Sequence, residues 1–317
     1  MTRIPIVSQI RRARRALARL HDLNKLDSLA EAIGRIEARQ LDAVPGGDLR
    51  FREFTVYSQS GEDGILHHLS RVVPIRRRTF VEFGVGNYTQ ANTRYLALND
   101  HWSGLVMEAD AESVRQIRAD PIYWRINVTA VHAMVTRENI NDLLREHEMV
   151  GEIGLLSIDI DGNDYWVFQA IEVVEPAIVV VEYNSRFGPR RSVTIPYNPE
   201  FNRWRAHPSG IYAGASLRAM CNLAARKGYS FVGCNGFGVN AFFVRNDLVN
   251  DAVTVVSVDD GYVEGQFREG RDELGRLVHL GLDDEKRILD SLPLVELDGE
   301  EALSTLSAGS QSGERVT

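Results

Sequence analysis

Residues 79–87 read Thr-Phe-Val-Glu-Phe-Gly-Val-Gly-Asn, and this stretch decides the fold. Phe80-Val81-Glu82-Phe83 is a short apolar and aromatic run between arginines and glycines, the pattern of a buried strand. Gly84-Val85-Gly86-Asn87 then breaks it. Glycines just past a strand permit a tight turn and let the backbone approach a ligand closely. Glu82 puts a carboxylate beside that turn.

Outward from this stretch, strands and helices alternate. Further strands are expected at Gly104–Met107, Ala130–Val135, Ile153–Ile158 and Ile178–Val181, with a last pair at Tyr229–Gly233 and Ala241–Arg245. Helices are expected from Ile65 onward and at Asn92–Asn99, Ala111–Ala119, Glu138–His147 (with Thr136 as N-cap), Tyr165–Ile171, Ala215–Lys227 and Asp283–Leu289. This alternation predicts an α/β, Rossmann-like fold, a mostly parallel sheet with helices on both faces. In such sheets ligands sit at the carboxyl ends of the strands. Acidic residues gather at those ends: Glu82, then Glu108 and Asp110, then Asp159 and Asp161, then Glu182.

The 317 residues allow one large domain with extensions. Residues 1–50 hold 10 basic against 6 acidic side chains, and residues 251–317 hold 6 against 16. This gives a basic N-terminal helical extension over 1–50, a core over 51–250, and an acidic C-terminal extension over 251–317 whose last residues, from Ser304, are expected to be disordered. Ile10, Ala13, Leu17 and Leu20, then Leu26, Leu29, Ile33 and Ile36, repeat at helical spacing. They suggest a packing or homo-oligomerising helix pair, with a basic amphipathic membrane helix as the other reading. No stretch is apolar enough to span a bilayer, and no secretory signal is visible. Cys221 and Cys234 form no zinc spacing and no disulfide framework, so a cytoplasmic location is the expectation. The acidic tail argues against nucleic acid as a partner.

A dinucleotide fingerprint needs a third glycine where Thr89 stands. Glu82 would repel a pyrophosphate but suits a cation such as the amino and sulfonium groups of S-adenosylmethionine, since opposite charges about 4 Å apart attract by several kcal/mol where water is partly excluded. The other reading makes Glu82 a helix cap or the partner of an arginine.

Val81–Gly86 resembles the first motif of class I S-adenosylmethionine-dependent methyltransferases, with Glu108 as their ribose-binding acid. Tyr57-Ser58-Gln59-x-Gly61-Glu62-Asp63-Gly64, Asn92-Thr93-Arg94 and Ser157–Gly162 are similar to the FkbM-like methyltransferases in particular, over about residues 55–245. The resemblance implies a seven-stranded sheet with the last strand antiparallel. It implies S-adenosylmethionine held by Gln59, Glu82, Gly84, Gly86, Asn87, Asn92, Glu108, Ala133, Met134 and Asp159.

Asp161-Gly162-Asn163-Asp164-Tyr165 also resembles metal-dependent sugar O-methyltransferases of the macrolide type. By that likeness Asp161 or Asp159, with Glu182 and Asn184, would bind Mg²⁺, an oxygen-ligand ion. The same acids could instead serve the cofactor and cap helices without metal. Deprotonation of an acceptor hydroxyl needs a metal or a base, and Asp161, Asp164 and His207 are the candidates. The loop Ser185–Gly210 carries four prolines, five arginines and the aromatics Phe187, Tyr197, Phe201 and Trp204. It reads as a lid over a saccharide or glycosylated small molecule. The expected activity is O-methylation of a sugar hydroxyl. A non-catalytic scaffold on the same fold and an N-methyltransferase are the alternatives.

Overall fold

The computed structural model describes residues 26–42, 47–266 and 270–297. The expected run from Ile10 to Leu20 and the tail from Ser304 lie outside these residues. Residues 26–42 form helix α1, and a 3-10 turn at Leu49–Arg52 leads to α2, Glu62–Val72. Then follow β1 Thr79–Phe83, α3 Arg94–Asn99, β2 Ser103–Glu108, α4 Ala111–Ala119, β3 Asn127–His132, α5 Ile140–Glu146, β4 Gly151–Ile158, α6 Asp164–Ala170 and β5 Val174–Glu182. The long loop after β5 holds a two-residue strand, β6 Val193–Thr194, and a short helix, α7 Arg203–Ala206. Helix α8 Leu217–Arg226 and strands β7 Tyr229–Cys234 and β8 Asn240–Arg245 complete the core. Beyond it come α9 Val258–Gly261, β9 Gly270–Arg271, β10 Leu277–Val278, α10 Leu282–Asp290 and β11 Val295–Glu296.

Among the described residues the main sheet has seven strands in the order β3-β2-β1-β4-β5-β8-β7. All pair in parallel except β8, which is antiparallel to both β5 and β7. This is the Rossmann-like α/β sheet expected from the alternation, with seven strands and the last one antiparallel as the resemblance implied. Side chains of a strand alternate between faces. Phe80 therefore joins the cluster under α2 and α3, while Val81 and Phe83 join the one under α6 and α8. Burial on both faces accounts for the nearly unbroken apolar run of β5.

Several boundaries differ from expectation: β5 begins four residues earlier, at Val174, and the helices expected from Asn92 and Ala215 begin at Arg94 and Leu217. The third strand begins three residues earlier and ends at His132, not Val135. It is an edge strand with one covered face, so Val128 and Ala130 are buried while Asn127 and Thr129 are exposed. Ala133 N–H still donates to Glu108 O (3.0 Å) as the chain leaves the sheet, and Met134 is exposed beyond it. Helix α5 begins at Ile140 behind Asn139, and the Thr136 hydroxyl accepts from Asn139 N–H (3.3 Å) one turn earlier.

The strand order reverses between β1 and β4, which opens a crevice at their carboxyl ends. No helix among the described residues is long and apolar enough to cross a membrane.

Candidate active site

The turn after β1 forms the floor of the crevice. Gly84 has φ +71°, and a Cβ there would stand 1.6 Å from the carbonyl oxygen of Asp159. Only glycine lets the ends of β1 and β4 come this close. Gly86 N–H donates to Glu108 Oε2 (2.8 Å), and Asp110 N–H to Glu108 Oε1 (2.9 Å), so Glu108 ties the glycine turn to the end of β2. Asn87 closes the turn by accepting from Thr89 N–H and Oγ1, and it does not line the crevice.

Glu82 is buried and held on both oxygens. Oε1 accepts from Asn92 N–H (2.8 Å), and Oε2 accepts from Thr93 N–H (3.1 Å) and the Thr93 hydroxyl. Burial outweighs these bonds and pushes its pKa up to about 7. Glu82 thus fastens the loop before α3, and it also lines the crevice. The next residue, Arg94, is buried against Tyr88 O (2.9 Å) and Asp120 (3.1 Å), with its guanidinium over the Tyr57 ring (4.9 Å).

The Tyr57–Gly64 segment is organised by its own acids. Asp63 Oδ2 accepts from the backbone N–H groups of Val56, Tyr57 and Ser58 at 2.6–2.9 Å. Burial still raises its pKa to about 6. Glu62 accepts from Ser60 N–H (2.7 Å) and from the side-chain amides of Asn235 (2.8 Å) and Asn240 (2.9 Å), joining this segment to the β7–β8 turn. Gln59, between these anchors, faces the crevice.

The crevice is a cavity of about 480 Å³. Gln59, Glu82, Gly84 and Asn92 line one side, and Asp159, Asp161, Glu182 and Asn184 the other. Glu108, Ala133 and Met134 lie on the adjoining rim, where Glu108 pairs with His132 across β2 and β3.

Asp159, Asp161 and Glu182 each bring a carboxylate oxygen within 4.8 Å of the others. Burial and then mutual repulsion with neighbouring acids raise Asp159 and Glu182 well above the usual carboxylate range. Asp161, at φ +57°, accepts from Arg203 Nη1 (2.7 Å). An all-carboxylate set of this size fits a hard divalent cation, whose preferred ligands are oxygens. Asn184 lines the same cavity, with its amide engaged in the lid loop. Its Nδ2 donates to Ile211 O and Ala213 O (both 2.9 Å), and its Oδ1 accepts from Arg186 N–H, so the amide stitches the lid loop.

Two candidate bases fall outside the cavity lining. Asp164 is fully buried and accepts from Ile160 N–H (2.8 Å) and Gly162 N–H (2.9 Å), which shapes the turn carrying Asp161. His207 Nδ1 bonds with the Ser209 hydroxyl (2.7 Å) inside a turn. Neither faces the crevice.

Most of the lid's aromatics are engaged in packing. Phe187 is buried, Tyr197 lies under the Arg137 guanidinium (3.9 Å), and Phe201 covers Gly162. Trp204 is 41% exposed and stacks against Arg203 and Arg271. Sequence reasoning missed Arg203 as the partner of Asp161, 42 residues away. It also missed Asn235 and Asn240, which no local pattern marks.

Residues 59–211 match the methyltransferase FkbM domain. The match covers just under half the chain and spans Glu82, Asp159, Asp161 and Glu182. A search of curated proteins finds no match. Among solved structures, similarity extends to the pyocyanin biosynthetic protein PhzM (14% identity, TM-score 0.34, 57% of this chain and 54% of that one). It extends also to the N-terminal domain of EvdMO1 with SAH bound (12%, 0.39, 67% and 94%). PKMT2 from Rickettsia typhi in complex with AdoHcy is a third (7%, 0.40, 62% and 55%). The chain thus spans about half the length of PhzM and PKMT2. Likenesses this distant say nothing about substrate.

Proposed function

We propose that this protein transfers the methyl group of S-adenosylmethionine to a hydroxyl of a saccharide or glycosylated small molecule. The methyltransferase FkbM domain supports the methyl-transfer half of this reading. The observation that carries the hydroxyl half is the Asp159–Glu182 pair, set in the same cavity as the glycine turn. Among the described residues no side chain or backbone group hydrogen-bonds to either carboxylate, and both line the cavity.

Methyl transfer to an alcohol is an in-line displacement at the sulfonium methyl. The hydroxyl oxygen forms the new C–O bond, the C–S bond breaks, and S-adenosylhomocysteine leaves. The hydroxyl proton must go to a base. A carboxylate held above its ordinary pKa is a stronger proton acceptor than one in water, and Glu182 and Asp159 both meet that condition. Positioning does the rest, because displacement requires the oxygen, methyl carbon and sulfur in line. Gly84 and the loop fastened by Glu82 set the donor side, and Asp161 with Arg203 sets the acceptor side.

Asp159, Asp161 and Glu182 would hold a Mg²⁺ ion. When bound it would supply Lewis acidity that lowers the pKa of the acceptor hydroxyl. Arg203 already supplies one positive charge to Asp161, so the cluster retains part of its compensation without metal.

The test is isotope-labelled S-adenosylmethionine incubated with the full chain and a panel of methyl glycosides and oligosaccharides. Mass spectrometry should detect a product gaining one methyl group at oxygen. Donor binding with no saccharide product would overturn the acceptor reading.

A further inference from the structure

A second cavity, of about 230 Å³, adjoins the first. The two share Ser185, Arg186 and Gly265, which form a sill between them. The sill is thin and well fixed. Gly265 N–H donates to the Ser185 hydroxyl (3.0 Å), and the Tyr262 hydroxyl donates to Ser185 O (2.8 Å). A Cβ on Gly265 would stand 2.4 Å from Ser185 Oγ, so the glycine keeps the partition one backbone thick.

The far wall is supplied by the acidic C-terminal extension. Helix α10 places Leu282, Asp283 and Lys286 on the cavity, and buried Glu285 pairs with Arg186 Nε (3.2 Å). This segment is anchored to the lid, since β11 pairs with β6. Arg191 bonds to both Asp290 (2.7 Å) and Glu296 (3.1 Å), and the Tyr212 hydroxyl donates to Pro293 O. Leu289 is buried in one apolar cluster with Phe187, Ile195 and Ile211 of the lid. The extension and lid therefore form one packed unit beside the acceptor half of the main cavity.

The lining of the second cavity has both signs of charge around an aromatic ring: Arg186 and Lys286, Glu264, Asp283 and Glu285, and Tyr262. Three carboxylates disfavour a phosphate or carboxylate ligand. Donors and acceptors interspersed beside an aromatic ring suit a neutral polyhydroxylated one. We propose that this cavity is a distal acceptor subsite, built by the C-terminal extension, that takes the neighbouring sugar unit of an oligosaccharide whose reacting hydroxyl faces Asp159 and Glu182. The inference rests on the saccharide reading given above.

It is tested with methyl glycosides of glucose, galactose and rhamnose set against di- and trisaccharides of the same sugars. The full chain should show a KM about tenfold lower for the longer acceptors, the effect of a modest extra contact. Lys286→Trp, which fills the cavity from an exposed helical position, should erase that preference by raising the oligosaccharide KM to the monosaccharide value. An unchanged Kd for S-adenosylmethionine reports that this variant is folded. Equal KM values across chain lengths in the unmodified protein would overturn the subsite, as would a preference that survives Lys286→Trp. Donor binding without transfer to any saccharide would overturn the saccharide reading and the subsite together.

Discussion

Arg203 Nη1 lies 2.7 Å from Asp161 Oδ1, and this ion pair connects the lid to the end of the central sheet. Asp161 sits in the turn after β4 at φ +57°, while Arg203 opens α7 in the lid and also donates from Nε to Gly210 O (3.0 Å). Both residues line the crevice, on the side assigned to the acceptor in the proposed reaction. Arg203→Gln is expected to raise the acceptor KM about tenfold, since misplacing a bound substrate is costly, while donor binding stays within twofold. Steady-state kinetics with calorimetry separate the two. A parallel loss of donor affinity would mean that the lid orders the whole crevice.

Asp159→Asn and Glu182→Gln remove proton acceptors without changing side-chain size. The residue that acts as base should lose about 10²- to 10⁴-fold in kcat. Single-turnover rates with saturating donor measure this directly. Retention of full rate by both variants would place the base elsewhere.

Metal dependence follows from the same cluster. Chelation with EDTA should abolish turnover and Mg²⁺ should restore it. Full activity of Asp161→Ala in the presence of chelator would remove the metal from the reading.

Buried acids give the fold a pH dependence of definite sign. Glu82 is raised to about 7 and Asp63 to about 6, whereas in an unfolded chain both titrate near pH 4. Between those values the folded protein keeps protons that the unfolded chain has released. Raising the pH through this window therefore weakens the fold. Thermal unfolding should occur at higher temperature near pH 5 than near pH 8. Glu82→Gln should flatten that slope. It should also cost ~1–3 kcal/mol, because its amide group turns a donor toward donors at Asn92 or Thr93.

Strand β1 and helix α4 fall where the pattern puts them, because an apolar run ends in glycines and an Asp110 cap precedes Ala111. Strand β3 shifted because an edge strand alternates polar and apolar residues, and the more continuous run that follows it belongs to the rim. The site was legible as a gathering of acids at strand ends. Which acids face the cavity was not legible. Asp63 and Asp164 look as chemical as Asp159, yet neither lines the cavity, and Asp63 Oδ2 and both oxygens of Asp164 accept from backbone N–H groups. Side-chain direction in a turn depends on backbone angles that residue spacing does not encode.

Helix α1 carries Leu26, Leu29, Ile33 and Ile36 on one face, each more than half exposed, at the spacing of a coiled-coil seam. Its other side faces the body, where Ala38 is buried and Glu31 accepts from the Tyr57 hydroxyl (3.1 Å). A second copy of the chain on this seam should appear as a dimer in light scattering, converted to monomer by Ile33→Asp. A monomer at all concentrations would contradict it.

The central claim is that the crevice between β1 and β4 binds S-adenosylmethionine. Titration calorimetry of the full chain with S-adenosylmethionine tests it most directly. Saturable binding at one site per chain is expected, weakened at least tenfold when Glu108→Ala removes the carboxylate that ties Gly86 to the end of β2. No heat of binding at millimolar S-adenosylmethionine would contradict it.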